Sequence, residues 1–322
     1  MSEVTDNPPP RGEGGAARAS GRSRVGGSGR QQANSGKPPP PTPPLKGEGS
    51  SIKPYLTVFA GRFQVMLQYR TAAVAGFITQ LWFGIIRILI FAAFYAGGAG
   101  HAPMSLGNAV TYTWLGQAFL VFLPWSADPE VAEMVRTGAV AYERLRPVDT
   151  YAWWYARALA YSLARVLPRA ALMFAFAALL LPLIGFGEWS LAPPPTLVAA
   201  GLFAASALGM VLLSAAITLV INIVMTATLN DRGANTLAAP IVNLFSGMVV
   251  PLAFFPDWVR PWLRAQPVAG LVDIPFSIYF GGLSGWSAAG AIALQFSWVA
   301  ALVVLGRVWL GRTMRRLQVQ GG

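Results

Sequence analysis

The sequence has no cysteine and a single histidine, His101. The first absence excludes disulfides and thiolate metal sites. The second removes any basis for a His-built metal cluster or a Ser/His/Asp triad. Charge is scarce as well. Of 322 residues 11% are charged and 54% hydrophobic, where soluble domains carry about 25% charge. That balance is a membrane composition. No G-x-x-x-x-G-K-S/T loop is present to cradle nucleotide phosphates, so the chain is not expected to be an enzyme that hydrolyses ATP. The long apolar runs contain no Asp or Glu, which argues against a proton-coupled carrier with a carboxylate relay. No His/Asp/Glu cluster supports a membrane hydrolase or metalloenzyme, and there is no inverted pair of broken spans of transporter type.

The charge that is present is mostly basic, with a formal net charge of +11. In a membrane chain this reflects Lys and Arg retained on the cytoplasmic side and an affinity for anionic lipid, not nucleic-acid binding. Residues 1–50 are rich in Pro, Gly, Ser and Arg, and PPPRGEG at Pro8–Gly14 nearly recurs as PPLKGEG at Pro43–Gly49. So few large apolar side chains cannot offset the entropy of ordering, and a disordered cytoplasmic tail is expected. From residue 51 the pattern changes. Tyr55, Val58, Phe59, Phe63, Met66 and Leu67 recur at spacings of three and four, which predicts an amphipathic helix in the membrane interface.

Six apolar segments follow, at about 72–96, 108–127, 160–185, 196–226, 235–255 and 286–308, each near the ~20 residues that cross a bilayer. The loops 97–107 and 186–195 carry no Lys or Arg, while 128–157 has Arg136, Arg144, Arg146 and Arg157 and the C-terminus has Arg312, Arg315 and Arg316. The positive-inside rule then places both termini in the cytoplasm. Arg260 and Arg264, in the 256–285 loop, go against it and are offset by Asp257 and Asp273.

Nine charged residues fall between Asp128 and Arg157. Pro129 to Ala141 is expected to be a helix, with Asp128 as N-cap, Pro129 in the first turn and Glu130 and Glu133 early in it. Gly138 would end or bend it, and Pro147 disfavours helix at Arg146. Trp153, Trp154 and Tyr155 suit an interfacial belt at the start of the next span. On these grounds alone the loop is either a docking surface for a partner or an ordinary capped, solvated loop.

Glu133 and Gly138 (E-x4-G), the Leu145-Arg146-Pro147 turn, the preceding amphipathic elbow and six spans with both ends inside together resemble the membrane subunit of ABC-2 type exporters, the class that moves drugs, lipids and polysaccharides. The resemblance covers about residues 51–316; the tails 1–50 and 317–322 lie outside it. It implies an all-α, polytopic permease with six transmembrane helices, an elbow helix, a cytoplasmic coupling helix and extracellular re-entrant helices. The implied partners are a separate ABC ATPase carrying ATP and Mg, a second permease in a homo- or heterodimer, and the lipids of an inner (plasma) membrane. Glu133, Met134, Arg136, Gly138 and Arg146 would face the ATPase.

Pro251–Gly282 is too apolar for a solvated loop. Trp258, Val259, Trp262 and Leu263 share one helix face there, and Pro267 and Pro275 follow. Short helices dipping into the outer leaflet fit this pattern; the resemblance makes them a gate, and an interfacial anchor is the other reading. Arg87 within the first span either lines a pathway or snorkels. Arg165 and Arg169, one turn apart, suit snorkelling toward inner phosphates better than a pathway role. Asn222, Thr226, Thr228, Asn230 and Asn243 either line a pathway, for which Asn222 and Asn243 are candidates, or bond between helices as packing glue. The alternative to an ABC permease is a channel or scaffold whose charged loop binds another cytoplasmic protein.

Overall fold

Where the sequence is continuously apolar over more than about 25 residues, the chain forms helices of membrane-crossing length. The described residues, 52–68, 70–98, 102–229 and 231–316 of a computed structural model, are helical with turns between and no strand among them. The tails expected at 1–50 and 317–322, and Asn230, lie outside them. The helices are α1 (Lys53–Leu67), α2 (Arg70–Ala96), α3 (Leu106–Phe119), α4 (Pro129–Arg136), α5 (Thr150–Phe174), α6 (Leu197–Thr228), α7 (Asp231–Phe245), α8 (Arg260–Ala265), α9 (Asp273–Tyr279) and α10 (Gly285–Arg316). A π-helical stretch, Ala175–Leu180, carries α5 on to Leu183.

Four helices are long and apolar enough to cross a membrane: Thr71–Ala96, Thr150–Leu183, Leu197–Thr228 and Gly285–Arg316. They correspond to four of the six expected spans. The other two segments contain shorter helices, the 14 residues of α3 and the 15 of α7, about 21 and 22 Å long against a hydrocarbon thickness of ~30 Å. The cause is local. A 3-10 turn at Leu120–Phe122 and then Pro124 end the helical path after α3. After α7 the chain turns through Gly247, at φ +88, to Pro251. Both continuations stay apolar, so hydropathy alone reads them as membrane span.

Side-chain caps fix several helix starts. Ser105 accepts the Asn108 N–H at 3.2 Å, Asp149 that of Ala152 at 2.7 Å and Thr196 that of Ala199 at 3.0 Å, each satisfying an orphan donor of the first turn. The helix expected at 51–70 is α1, and it packs along α5.

The centre of the bundle is α6. It packs against α5, α9 and α10, and 61% of its apolar window is buried, against 17% for α2 and for α10. Those two form the rim, and α2 turns Ile78, Trp82, Phe83 and Ile90 outward. An apolar face of this extent needs lipid or another protein against it.

One polar side chain stitches α6 to its neighbours. Gln295 on α10 donates from Nε2 to the Ser206 carbonyl at 2.9 Å and the Gly270 carbonyl at 2.7 Å, and accepts from Ser206 Oγ at 2.9 Å. It thereby joins α6, α10 and the Pro267–Leu271 turn. Replacing Gln295 with Leu strands the Gly270 carbonyl and is expected to lower unfolding free energy by about 1–2 kcal/mol, measured by reversible unfolding in mixed micelles; an unchanged midpoint would remove Gln295 from the framework.

Candidate functional site

The charged loop begins as its local sequence dictates. Asp128 takes an extended conformation and its Oδ1 accepts the Glu130 N–H at 3.0 Å. Pro129 occupies the first turn, Glu130 sits near the positive end of the helix and Arg136 near the negative end, each favourable to the dipole. The helix stops at Arg136, short of the expected Ala141. Gly138 adopts φ +75 with open space where a Cβ would stand, so glycine is required there by backbone conformation and not by room. Ala139–Leu145 continues as a 3-10 helix, and Arg146 is extended ahead of Pro147.

The root of α4 is held by an ion-pair knot. Arg62 on α1, buried, lies 2.7 Å from Asp128 by Nη1–Oδ2 and donates from Nη2 to Oδ1 at 2.8 Å. Its Nη2 is also 3.5 Å from Glu130. Arg157 on α5 pairs with the other Glu130 oxygen. The Arg62 guanidinium lies over the Tyr161 ring, 5.0 Å from its centroid. On the remaining side the Asp128 N–H donates to Asn222 Oδ1 at 2.8 Å, and the Ala127 N–H to Asn235 Oδ1 at 2.8 Å. Asp128 is therefore a helix cap, an ion partner and a backbone tie to α6 at once. Asn222, a pathway candidate by sequence, is buried in this junction.

The five candidate coupling residues fall around the tip. Glu133 and Arg136 pair with each other on the exposed face of α4, Met134 is half-buried and packs inward, and Gly138 is exposed. Arg146 stacks 4.9 Å over Trp153 and pairs by Nε with Glu143 at 3.0 Å. Glu143 is itself buried and accepts the Trp154 indole N–H at 3.2 Å. Glu133, Met134 and Arg146 line one 590 Å³ cleft together with Val58 and Val65 of α1.

A second feature lies in the bundle wall. Arg87 of α2 and Asn243 of α7 line the same 740 Å³ cavity, bounded by α2, α3, α7 and the 248–254 segment. Arg87 donates to the Val249 carbonyl at 3.0 Å. Gln117 and Trp125 also line it, with the Gln117 Oε1 and the Trp125 indole nitrogen buried and without partners. The walls are otherwise aromatic and aliphatic, including Phe83, Phe91 and Phe254. Gln117 and Trp125 carried no sequence signal beyond polarity inside an apolar run.

Around α8 and α9, Trp258 and Trp262 are exposed. Pro267 opens the 3-10 turn Pro267–Leu271, where Gln266 Oε1 accepts the Val268 N–H at 2.7 Å, and Pro275 is buried in the first turn of α9. Asp273 is buried, accepts from Arg264 Nε at 3.0 Å and from the Leu252 N–H at 3.2 Å, and its own N–H donates to the Ser246 carbonyl at 3.1 Å. Burial pushes its carboxyl up from the usual range, and Arg264 opposes that shift. This pair pins the helix-breaking segment to the turn that ends α7.

No family model matches the sequence, and no curated protein matches it.

Arg62→Ala would leave the Asp128 carboxylate buried and uncompensated, and is expected to cost about 3–5 kcal/mol of unfolding free energy. Arg136→Ala breaks an exposed pair and should cost at most about 1 kcal/mol. Denaturant unfolding of the two purified variants checks the contrast; equal losses would contradict the assignment of the knot.

Proposed function

We propose that this chain is the membrane permease of an ABC-2 type exporter, working with a separate ATPase and dimerising with itself or a related permease. The observation that carries this reading is the construction of the charged loop. A short capped helix exposes Glu133 and Arg136 at its tip, while its root is bolted to α1, α5 and α6 through Arg62, Asp128, Glu130, Arg157 and Asn222. A force on the tip is delivered to three helices, which is what a coupling helix requires.

In this reading ATP and Mg bind the partner ATPase, whose closure pushes on α4. The 740 Å³ cavity lies between the first, second and fifth of the expected spans, and it is the segment of the translocation pathway that this chain contributes. Arg87 and Asn243 line that pathway, and Asn222 belongs to the coupling junction instead. The segments at 108–127 and 235–255 complete six crossings, by short helices continued in irregular backbone that protein shields. Trp258, Trp262, Pro267 and Pro275 belong to re-entrant elements at the outer end. The protein sits in an inner membrane of bacterial type with both termini cytoplasmic.

Two experiments test the proposal. A Val135→Pro change removes a backbone donor within α4. The variant should still insert but should lose the ATPase that co-purifies with the wild-type chain in mild detergent. Retention of both ATPase assembly and transport would refute the coupling role. The absence of cysteine gives a clean background for topology. Glu188→Cys should react with an impermeant thiol reagent applied outside cells and Thr137→Cys should not; the reverse pattern would invert the orientation.

A further inference from the structure

We propose that the chain holds one anionic phospholipid at the end of the bundle carrying the charged loop, with the lipid phosphate between Arg165 and Arg169. One acyl chain would lie in the cavity between α1, α2 and α5. The inference does not depend on a transport role.

The arginines at this end differ in how they are neutralised. Arg62 and Arg157 have Asp128 and Glu130. Arg165 and Arg169 form no ion pair among the described residues. They stand one turn apart on α5, so two like charges share a face within an apolar helix, an arrangement that repels unless an anion joins it.

Both guanidinium groups are held in place. Arg169 Nη2 donates to the Ala72 carbonyl at 3.2 Å. Its guanidinium lies against Gly76 of α2, where a Cβ would come within 2.6 Å. Its Nε is buried and has no partner, a donor without an acceptor. The Arg165 guanidinium lies over the Tyr161 ring, 4.6 Å from its centroid.

The space around the pair has two parts. On one side is a 710 Å³ cavity with apolar walls that include Met66, Leu67, Val74 and Leu172. On the other is a 290 Å³ recess with polar groups from Thr79, Gln80 and Thr218. Arg165 and Arg169 line both. A free phosphate would use only the charged neck between them, whereas a phospholipid uses the neck and the apolar cavity together. Pro129 and Glu130 line the larger cavity too, so the lipid would touch the root of the charged loop and brace α1 against α2 and α5.

The test is native mass spectrometry of the full-length chain in mild detergent, titrated with phosphatidylglycerol, phosphatidylcholine or inorganic phosphate. One phosphatidylglycerol should bind per chain, with phosphatidylcholine bound at least about tenfold more weakly. Arg165→Gln with Arg169→Gln should weaken phosphatidylglycerol roughly 30-fold, the weight of two arginines on an anionic lipid. Ala171→Trp keeps both arginines but fills the apolar cavity and should also lose the lipid; it carries the test alone if the double variant does not fold. Equal binding of the two lipids, or phosphatidylglycerol binding untouched by Ala171→Trp, would overturn the proposal. So would inorganic phosphate displacing the lipid and binding wild type and Ala171→Trp alike, since that describes an ion site.

Discussion

Arg62 is a guanidinium in a place with almost no water, and Asp128 makes that tolerable. Taking both charges out of solvent costs several kcal/mol per ion and is offset only by close geometry and further hydrogen bonds. The two contacts at 2.7 and 2.8 Å supply the geometry. The Glu130 N–H on Asp128 Oδ1 supplies a further bond, with Tyr161 stacked beneath the guanidinium. Because Asp128 also ties by its own N–H to Asn222, the positions of α1, α4, α5 and α6 at this end are set jointly. Removing Arg62 would leave Asp128 without compensation, and removing Asp128 would leave Arg62 only the longer 3.5 Å contact to Glu130.

The opposite end obeys the same rule with different residues. Asp273 is buried against Arg264, and Gln295 satisfies the carbonyls of Ser206 and Gly270. Between the two ends the bundle is held by apolar packing around α6. Polarity inside it is found in tied groups and in the three cavities lined by Arg87 or by Arg165 and Arg169.

Features carried by neighbouring residues were legible in the sequence. Asp128, Pro129 and Gly138 bound the loop helix because capping, proline geometry and left-handed glycine act over one turn. The four long helices follow from apolar length. The segments at 108–127 and 235–255 have the hydropathy of full-length helices but form helices of only 14 and 15 residues, because hydropathy registers composition and not backbone. Leu120–Trp125, buried or half-buried, and Met248–Phe255, with Val249 and Val250 exposed, are apolar while departing from α-helix. Long-range pairing left no local trace. Arg62 and Asp128 are 66 residues apart, and Arg62 reads by itself as an interruption of an amphipathic face. Glu143 reads as one more loop charge until Trp154 and Arg146 close on it. Arg87 and Asn243 were candidates separately; their shared cavity is a product of the tertiary fold.

The ion-pair knot clamps the loop helix to the bundle. Amide hydrogen exchange of the full chain, wild type against Arg62→Met, tests it most directly. Exchange of the α4 amides after Pro129 should accelerate about a hundredfold or more, as a loss of ~3 kcal/mol of local stability requires, while α6 keeps its protection. Unchanged exchange in α4, or acceleration spread evenly over α4 and α6, would contradict it.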